Sequence, residues 1–177
     1  MIILISGSSH TGKTLVSQRL MEKLGIPYMS ADHLKMGLIR SGITALTPED
    51  DEELLPYLWK IEKEIIKTAV ENGQSLIIEG CYIPQSWRGD FSEEYLRDIR
   101  AVWLIMSKKY IREHFSDICA NADVIEHRLD DSWLAPDKLI ADNAKNLSEC
   151  QKHGCRYILI DREYYAGLIA EKVAALL

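Results

Sequence analysis

Short apolar runs alternate along this chain with longer segments whose apolar residues recur every three or four positions. That alternation predicts strands separated by helices. The strand-like runs are residues 1–5, 26–30, 75–80, 101–106 and 156–160, and the first of them, Met1-Ile2-Ile3-Leu4-Ile5, is wholly apolar. Helical spacing runs through residues 15–21, 32–40, 108–119 and 137–153, and residues 163–177 close the chain as a further helix. Between the second and third strands a long helix is expected, capped by Thr47 with Pro48 in its first turn. Its apolar stripe is Leu54, Leu58, Ile61, Ile65 and Ala69, and Pro56 is expected to kink it or to mark a restart. Residues 121–136 are charged and irregular, and no repeat or linker interrupts the chain. The pattern implies one α/β domain spanning residues 1–177, with five parallel strands and helices on both faces of the sheet.

Composition narrows the classes without changing that picture. At 177 residues and 47% hydrophobic, the chain can bury a substantial core in a single domain. A net charge of -6 argues against a nucleic-acid-binding face. No apolar run approaches the length of a membrane span, and no cationic segment precedes the first strand, so a cytoplasmic location without membrane contact is expected. The four cysteines contain no C-x-x-C pair, which suits reduced thiols, and the Cys150, His153, Cys155 cluster lacks a fourth ligand for zinc.

The first strand runs into Gly7-Ser8-Ser9-His10-Thr11-Gly12-Lys13-Thr14, which meets the pattern G-x-x-x-x-G-K-[ST] at every fixed position and opens a helix. Gly7 and Gly12 let the backbone wrap tightly, so that successive N–H groups from Gly7 through Thr14 converge on one anion. The N-terminus of the following helix adds to that field. Lys13 is placed to reach the β- and γ-phosphates of a nucleotide, and the Thr14 hydroxyl to ligate Mg²⁺.

Ligands of open α/β sheets sit beyond the carboxyl ends of the strands, so the residues following each strand are the candidates for chemistry. The second strand delivers Asp32 and the third delivers Glu79. Glu79 ends an apolar run, where Mg²⁺ or a hydroxyl proton would offset the cost of burying its charge. Asp32 can orient or deprotonate an acceptor hydroxyl, or simply cap the helix it opens. Arg112 and Arg128 flank the irregular segment, so residues 112–136 are expected to form a lid that excludes water and neutralises charge on a transferring phosphoryl group. Lys35, Arg40, Trp59 and Arg88 are candidates for the acceptor pocket.

With these residues in place, the chain resembles the small P-loop kinases, among them adenylate kinase, shikimate kinase and the 2-phosphoglycerate-kinase-like and zeta-toxin-like phosphotransferases. The phosphate loop carries the likeness fully. Ser30-Ala31-Asp32-His33-Leu34-Lys35 is similar to the start of the acceptor-binding helix, with Lys35 where nucleotide kinases usually carry arginine. Ile77-Ile78-Glu79-Gly80 is similar to the strand bearing the Mg²⁺-side acid, and Arg112 matches the first lid arginine in position. The resemblance implies a three-layer α/β/α fold, a five-stranded parallel sheet ordered 2-3-1-4-5, a helical lid, ATP with Mg²⁺, and in-line transfer to an acceptor. Two departures weigh against AMP as that acceptor. Gly80-Cys81-Tyr82-Ile83-Pro84 stands where adenylate kinases have Gly-Phe-Pro-Arg, and residues 137–153 contain no arginine.

The expected activity is therefore transfer of the γ-phosphoryl group of ATP to a small-molecule hydroxyl, by a monomer or homodimer. The alternatives are a nucleoside-monophosphate kinase and a nucleotide-binding switch without an acceptor. A GTPase is disfavoured, because the nearest string to a guanine-reading Asn-Lys-x-Asp is Asn143-Ala144-Lys145-Asn146.

Overall fold

The first strand, β1 (Ile2–Gly7), is buried along its whole length, as a strand must be when helices cover both of its faces. The computed structural model describes residues 1–122, 125 and 134–177. In it β1 lies at the centre of a parallel sheet with β2 (Tyr28–Ser30), β3 (Leu76–Glu79), β4 (Ile99–Met106) and β5 (Arg156–Ile160). The strand order is β2-β3-β1-β4-β5, as the resemblance implied. The reversal of chain direction across the sheet lies between β1 and β3, so the C-terminal ends of these two strands frame the crevice where such sheets bind ligands.

Strand periodicity sorts the core into two layers. On one face Ile3, Ile5, Leu104 and Ile158 pack against Val16 and Leu20 of α1 (Lys13–Leu24), Ile111 of α5 (Lys108–Ala120) and Val173 of α7 (Ala166–Ala175). On the other, Ile2, Leu4, Trp103 and Ile105 pack against Trp59 and Ile66 of α3 (Asp51–Glu71) and Cys150 of α6 (Pro136–His153). A smaller cluster of Ala31, Leu54, Leu58 and Tyr82 joins α2 (Ala31–Arg40) to the first half of α3. None of the helices among the described residues is long and apolar enough to cross a membrane.

Four local departures from the expected elements have physical causes. The long helix α3 begins at Asp51, because the Asp50 carboxylate accepts hydrogen bonds from both the Thr47 N–H (2.7 Å) and its hydroxyl (2.9 Å). Those bonds close a turn ahead of the helix rather than capping it at Thr47. Pro56 lies inside α3 without breaking it; so close to the N-terminus it removes only one ladder bond. The buried stripe of α3 runs through Leu54, Leu58, Trp59, Glu62, Ile66 and Ala69, leaving Ile61 and Ile65 half-buried at its margin. Finally, residues 163–165 stay outside α7, and a 3₁₀ turn (Trp87–Asp90) and a one-turn helix, α4 (Glu93–Leu96), fill the connection before β4.

Candidate active site

The loop between β1 and α1 takes an unusual backbone path: Gly7, His10 and Gly12 all have positive φ, at 141°, 63° and 75°. Interleaving such residues with ordinary ones turns successive N–H groups inward and forms an anion-binding concavity at the start of α1. The glycines are sterically required. A Cβ on Gly7 would lie 2.3 Å from the Leu104 carbonyl oxygen, and one on Gly12 would lie 1.9 Å from the Tyr164 hydroxyl. The Leu104 oxygen belongs to the sheet and cannot yield. Gly7→Ala is therefore expected to cost at least about 2 kcal/mol, read as a fall in melting temperature, and to weaken nucleotide binding in parallel.

Side chains hold the loop in this shape. The Thr11 hydroxyl and the Lys13 ammonium each donate to the Ser8 carbonyl at 2.9 Å. Asn146 of α6 donates to the Ser8 hydroxyl at 2.9 Å and accepts from the Gln85 amide at 2.7 Å. Asn143 accepts from the Met106 N–H and donates to the Leu139 carbonyl. Both asparagines of the string nearest a guanine-reading motif are thus braces for the loop and for the end of β4.

Beyond the loop the sheet brings acids together. Glu79, only 2% exposed, accepts the Thr14 hydroxyl at 3.1 Å. Asp32 stands in the first turn of α2, and its carboxylate has no hydrogen bond or ion pair among the described residues. Lys13, Thr14, Asp32 and Glu79 all line a cleft of about 450 Å³ together with Ser9, His10 and Gly12. A third acid, Glu62 of α3, is fully buried, and neither carboxylate oxygen has a hydrogen-bond partner. Burial, reinforced by the charges of Asp32 and Glu79, pushes its carboxyl up to about 7. Glu62 was missing from the expected site. Its signal is position, since it falls four residues after Leu58 and four before Ile66 on the buried stripe.

The opposite wall of the cleft is aromatic. Tyr110 and His114 of α5 stack at 4.6 Å between ring centroids, and Tyr164 donates to the Gly12 carbonyl at 3.2 Å. Burial raises the Tyr164 phenol well above its usual range, so the proton stays on the oxygen. Asp117, Ile118 and Asn121 continue the α5 face into the cleft. These residues too escaped the sequence reading. Tyr164 is the most legible of them, lying just after β5 at the carboxyl end of the sheet.

The expected cations are scattered. Lys13 is the one lysine or arginine lining the cleft among the described residues. Arg112 is exposed and two positions from Tyr110, on the side of α5 turned from the cleft, and Arg128 lies outside the described residues. Within the expected lid at 112–136 the described residues are 112–122, 125 and 134–136, and α5 continues as far as Ala120. Lys35 donates to the Tyr82 hydroxyl (2.8 Å) and the Pro48 carbonyl (3.3 Å) and lies 3.8 Å from Asp51. Tyr82 in turn donates to Asp51 at 2.8 Å, so these groups latch α2, α3 and the loop after β3. Arg40 ends α2 exposed to solvent, and Arg88 lies over the Trp87 ring. Trp59 is buried against Phe91 and donates its indole N–H to Asp90 at 2.9 Å, within the core rather than at the cleft.

No family model matches the sequence, and no curated protein matches it. Solved structures do. Shikimate kinase from Acinetobacter baumannii, in complex with shikimate, is 17% identical with a TM-score of 0.57 over 99% of this chain and 91% of that one. A gluconokinase from Sinorhizobium meliloti 1021 is 17% identical with a TM-score of 0.56, over 98% and 89%. The tunicamycin resistance protein of Deinococcus radiodurans is 17% identical with a TM-score of 0.55, over 98% and 93%. The chain therefore has the three-layer fold of the small P-loop kinases across almost its whole length.

Proposed function

We propose that this chain is an ATP-dependent kinase that moves the γ-phosphoryl group to a hydroxyl of a small molecule. The observation that carries the reading is the Thr14–Glu79 hydrogen bond at the mouth of the loop, in one cleft with Asp32, whose carboxylate has no partner among the described residues. A hydroxyl and a buried carboxylate beside an anion cradle form the hard-oxygen donor set that suits Mg²⁺. The loop N–H groups and Lys13 fit the phosphates, and the wall of Tyr110, His114 and Tyr164 fits the flat nucleoside end. Bound Mg²⁺ would offset charge on the phosphates, with Thr14 and Glu79 as the groups that hold it.

The remaining steps belong to the protein. Lys13 exchanges the Ser8 carbonyl for phosphate oxygens and follows the charge that develops during transfer. Asp32 accepts the proton of the attacking hydroxyl as the new oxygen–phosphorus bond forms and the bond to the β-phosphate oxygen breaks, releasing ADP. Closure over this site by a segment bearing Arg112 or Arg128 is part of the same proposal.

Asp32→Asn keeps the shape of the side chain and removes its basicity. Turnover is expected to fall by about 10²–10⁴ while ATP affinity, measured by calorimetry, changes by less than about threefold. Full activity in that variant would remove Asp32 from the chemistry.

A further inference from the structure

Helix α6 ends in a turn that brings two free thiols together. Gly154 is left-handed at φ 64°, the Cys155 N–H donates to the Cys150 carbonyl at 2.8 Å, and the Gly154 N–H donates to the Gln151 carbonyl at 3.4 Å. This pair of bonds is the helix ending that sets the residues at its two limits, here Cys150 and Cys155, side chain against side chain. The 2.8 Å bond also keeps their Cα atoms within about 6.7 Å of each other, inside the span of a disulfide. Cys150 is fully buried in the core layer around Trp59 and Trp103, and Cys155 packs half-buried against the same layer. Burial pushes the Cys150 thiol up to about 12 and also raises that of Cys155, where the Arg88 guanidinium acts against the rise. The pair is therefore protonated and reduced at rest, and Cys155 is the sulfur more open to an oxidant.

A chain of hydrogen bonds runs from this pair to the phosphate loop. The Cys155 thiol donates to the Gln85 carbonyl at 3.3 Å, the Gln85 side-chain amide to Asn146 at 2.7 Å, and Asn146 to the Ser8 hydroxyl at 2.9 Å. Gln85 is thus held at its carbonyl by Cys155 and at its side chain by Asn146. Ser8 is in turn the residue whose carbonyl gathers Thr11 and Lys13.

We propose that Cys150 and Cys155 are a redox-active dithiol that a hydroperoxide closes into a disulfide, loosening the phosphate loop through Gln85, Asn146 and Ser8. The Cys155 sulfur attacks the outer oxygen of the hydroperoxide and the O–O bond breaks. That step leaves a sulfenic acid at Cys155 and an alcohol that carries away the thiol proton. The Cys150 sulfur then attacks the sulfenic sulfur, the S–O bond breaks, and hydroxide leaves as water with the Cys150 proton. The two thiols lose two electrons and the hydroperoxide gains them. The disulfide has no S–H, so the Gln85 carbonyl loses its donor and the relay loses its far anchor. The device needs the loop to bind nucleotide, as the kinase reading does, but it needs no particular acceptor.

The test exposes the reduced full chain to hydrogen peroxide, removes the excess and reads both the bond and its consequence. Lys152 lies between the cysteines, so trypsin separates residues 146–152 from residues 153–156 unless a disulfide joins them. Joined peptides are expected in mass spectra and are expected to part again with dithiothreitol. ATP affinity, measured by calorimetry, is expected to fall about fivefold on oxidation and to recover on reduction. Cys155→Ser keeps a donor for Gln85 but cannot form the bond, so its ATP affinity is expected to stay within about twofold of the reduced parent before and after peroxide. The exposed Cys81 and Cys119 remain in that variant, which therefore controls for their oxidation. Asn146→Ala cuts the relay; it is expected to bind ATP about fivefold more weakly and to show no further loss when its disulfide forms.

Peptides that stay unjoined after peroxide overturn the dithiol. Joined peptides with unchanged ATP affinity, or an equal loss of affinity in Cys155→Ser, overturn its link to the loop. A full response retained in Asn146→Ala overturns the relay. Because the peptides are read without nucleotide, the dithiol stands or falls separately from the kinase reading.

Discussion

Lys13→Ala is expected to lower turnover about a thousandfold, or about 4 kcal/mol in the barrier, while leaving the fold intact. The cleft contains no other lysine or arginine among the described residues, so no described neighbour can take over its charge. What the variant gives up in the free protein is small: one hydrogen bond to the Ser8 carbonyl from a partly exposed side chain, worth about 1 kcal/mol. The loop keeps its shape, because the Thr11–Ser8 and Asn146–Ser8 bonds do not involve Lys13. Steady-state kinetics beside thermal melts check both halves. A melting temperature that falls as far as the activity would assign Lys13 to structure instead.

Glu62→Gln is expected to stabilise the protein at neutral and alkaline pH. The Glu62 carboxyl is raised from an ordinary 4.5 to about 7 in the fold, burial being the main cause. Between those two values the folded chain holds a proton that the unfolded chain has released. Stability from this group is therefore fully present below about pH 4.5, declines as pH rises through the window and levels off above pH 7. The displacement corresponds to about 3 kcal/mol at its limit. Glutamine removes that dependence while keeping the side-chain volume. At pH 8 the variant should melt roughly 5–10 °C above the parent, and near pH 5 the two should converge. Equal offsets at both pH values would show that repacking, not charge, is responsible.

The centre of the sheet was legible because β1, β3 and β4 are buried on both faces along almost their whole length and read as apolar runs, of which Ile2-Ile3-Leu4-Ile5 is the plainest. The loop was legible because its chemistry is local, with Gly7, Gly12, Lys13 and Thr14 within eight consecutive residues. The pairing of Thr14 with Glu79 spans 65 residues and still followed from topology, since strand ends in such a sheet converge. The boundary at Thr47 was misread because Asp50 can accept from Thr47 as readily as Thr47 can cap a helix.

The stripe of α3 was misread for a different reason. Following Ile61 and Ile65 keeps every chosen position apolar, but packing around Trp59 turns the helix so that Glu62 and Ile66 face inward. An acid accepted into that stripe is a tertiary decision, which a hydrophobic pattern alone does not reveal. Lys35 and Trp59 show the converse. Each is a residue type suited to a binding pocket, and each is held instead by partners distant in sequence, Tyr82 and Asp90.

Transfer of phosphate to a small molecule is what the cleft is proposed to do. Its most direct measurement follows ATP labelled on the γ-phosphate through incubation with the protein and a pool of small hydroxyl compounds. Label is expected in a new low-molecular-weight phosphate ester, formed with one ADP per product and lost in both Lys13→Ala and Asp32→Asn. Label found only in inorganic phosphate, or retained in ATP despite tight binding, would contradict it.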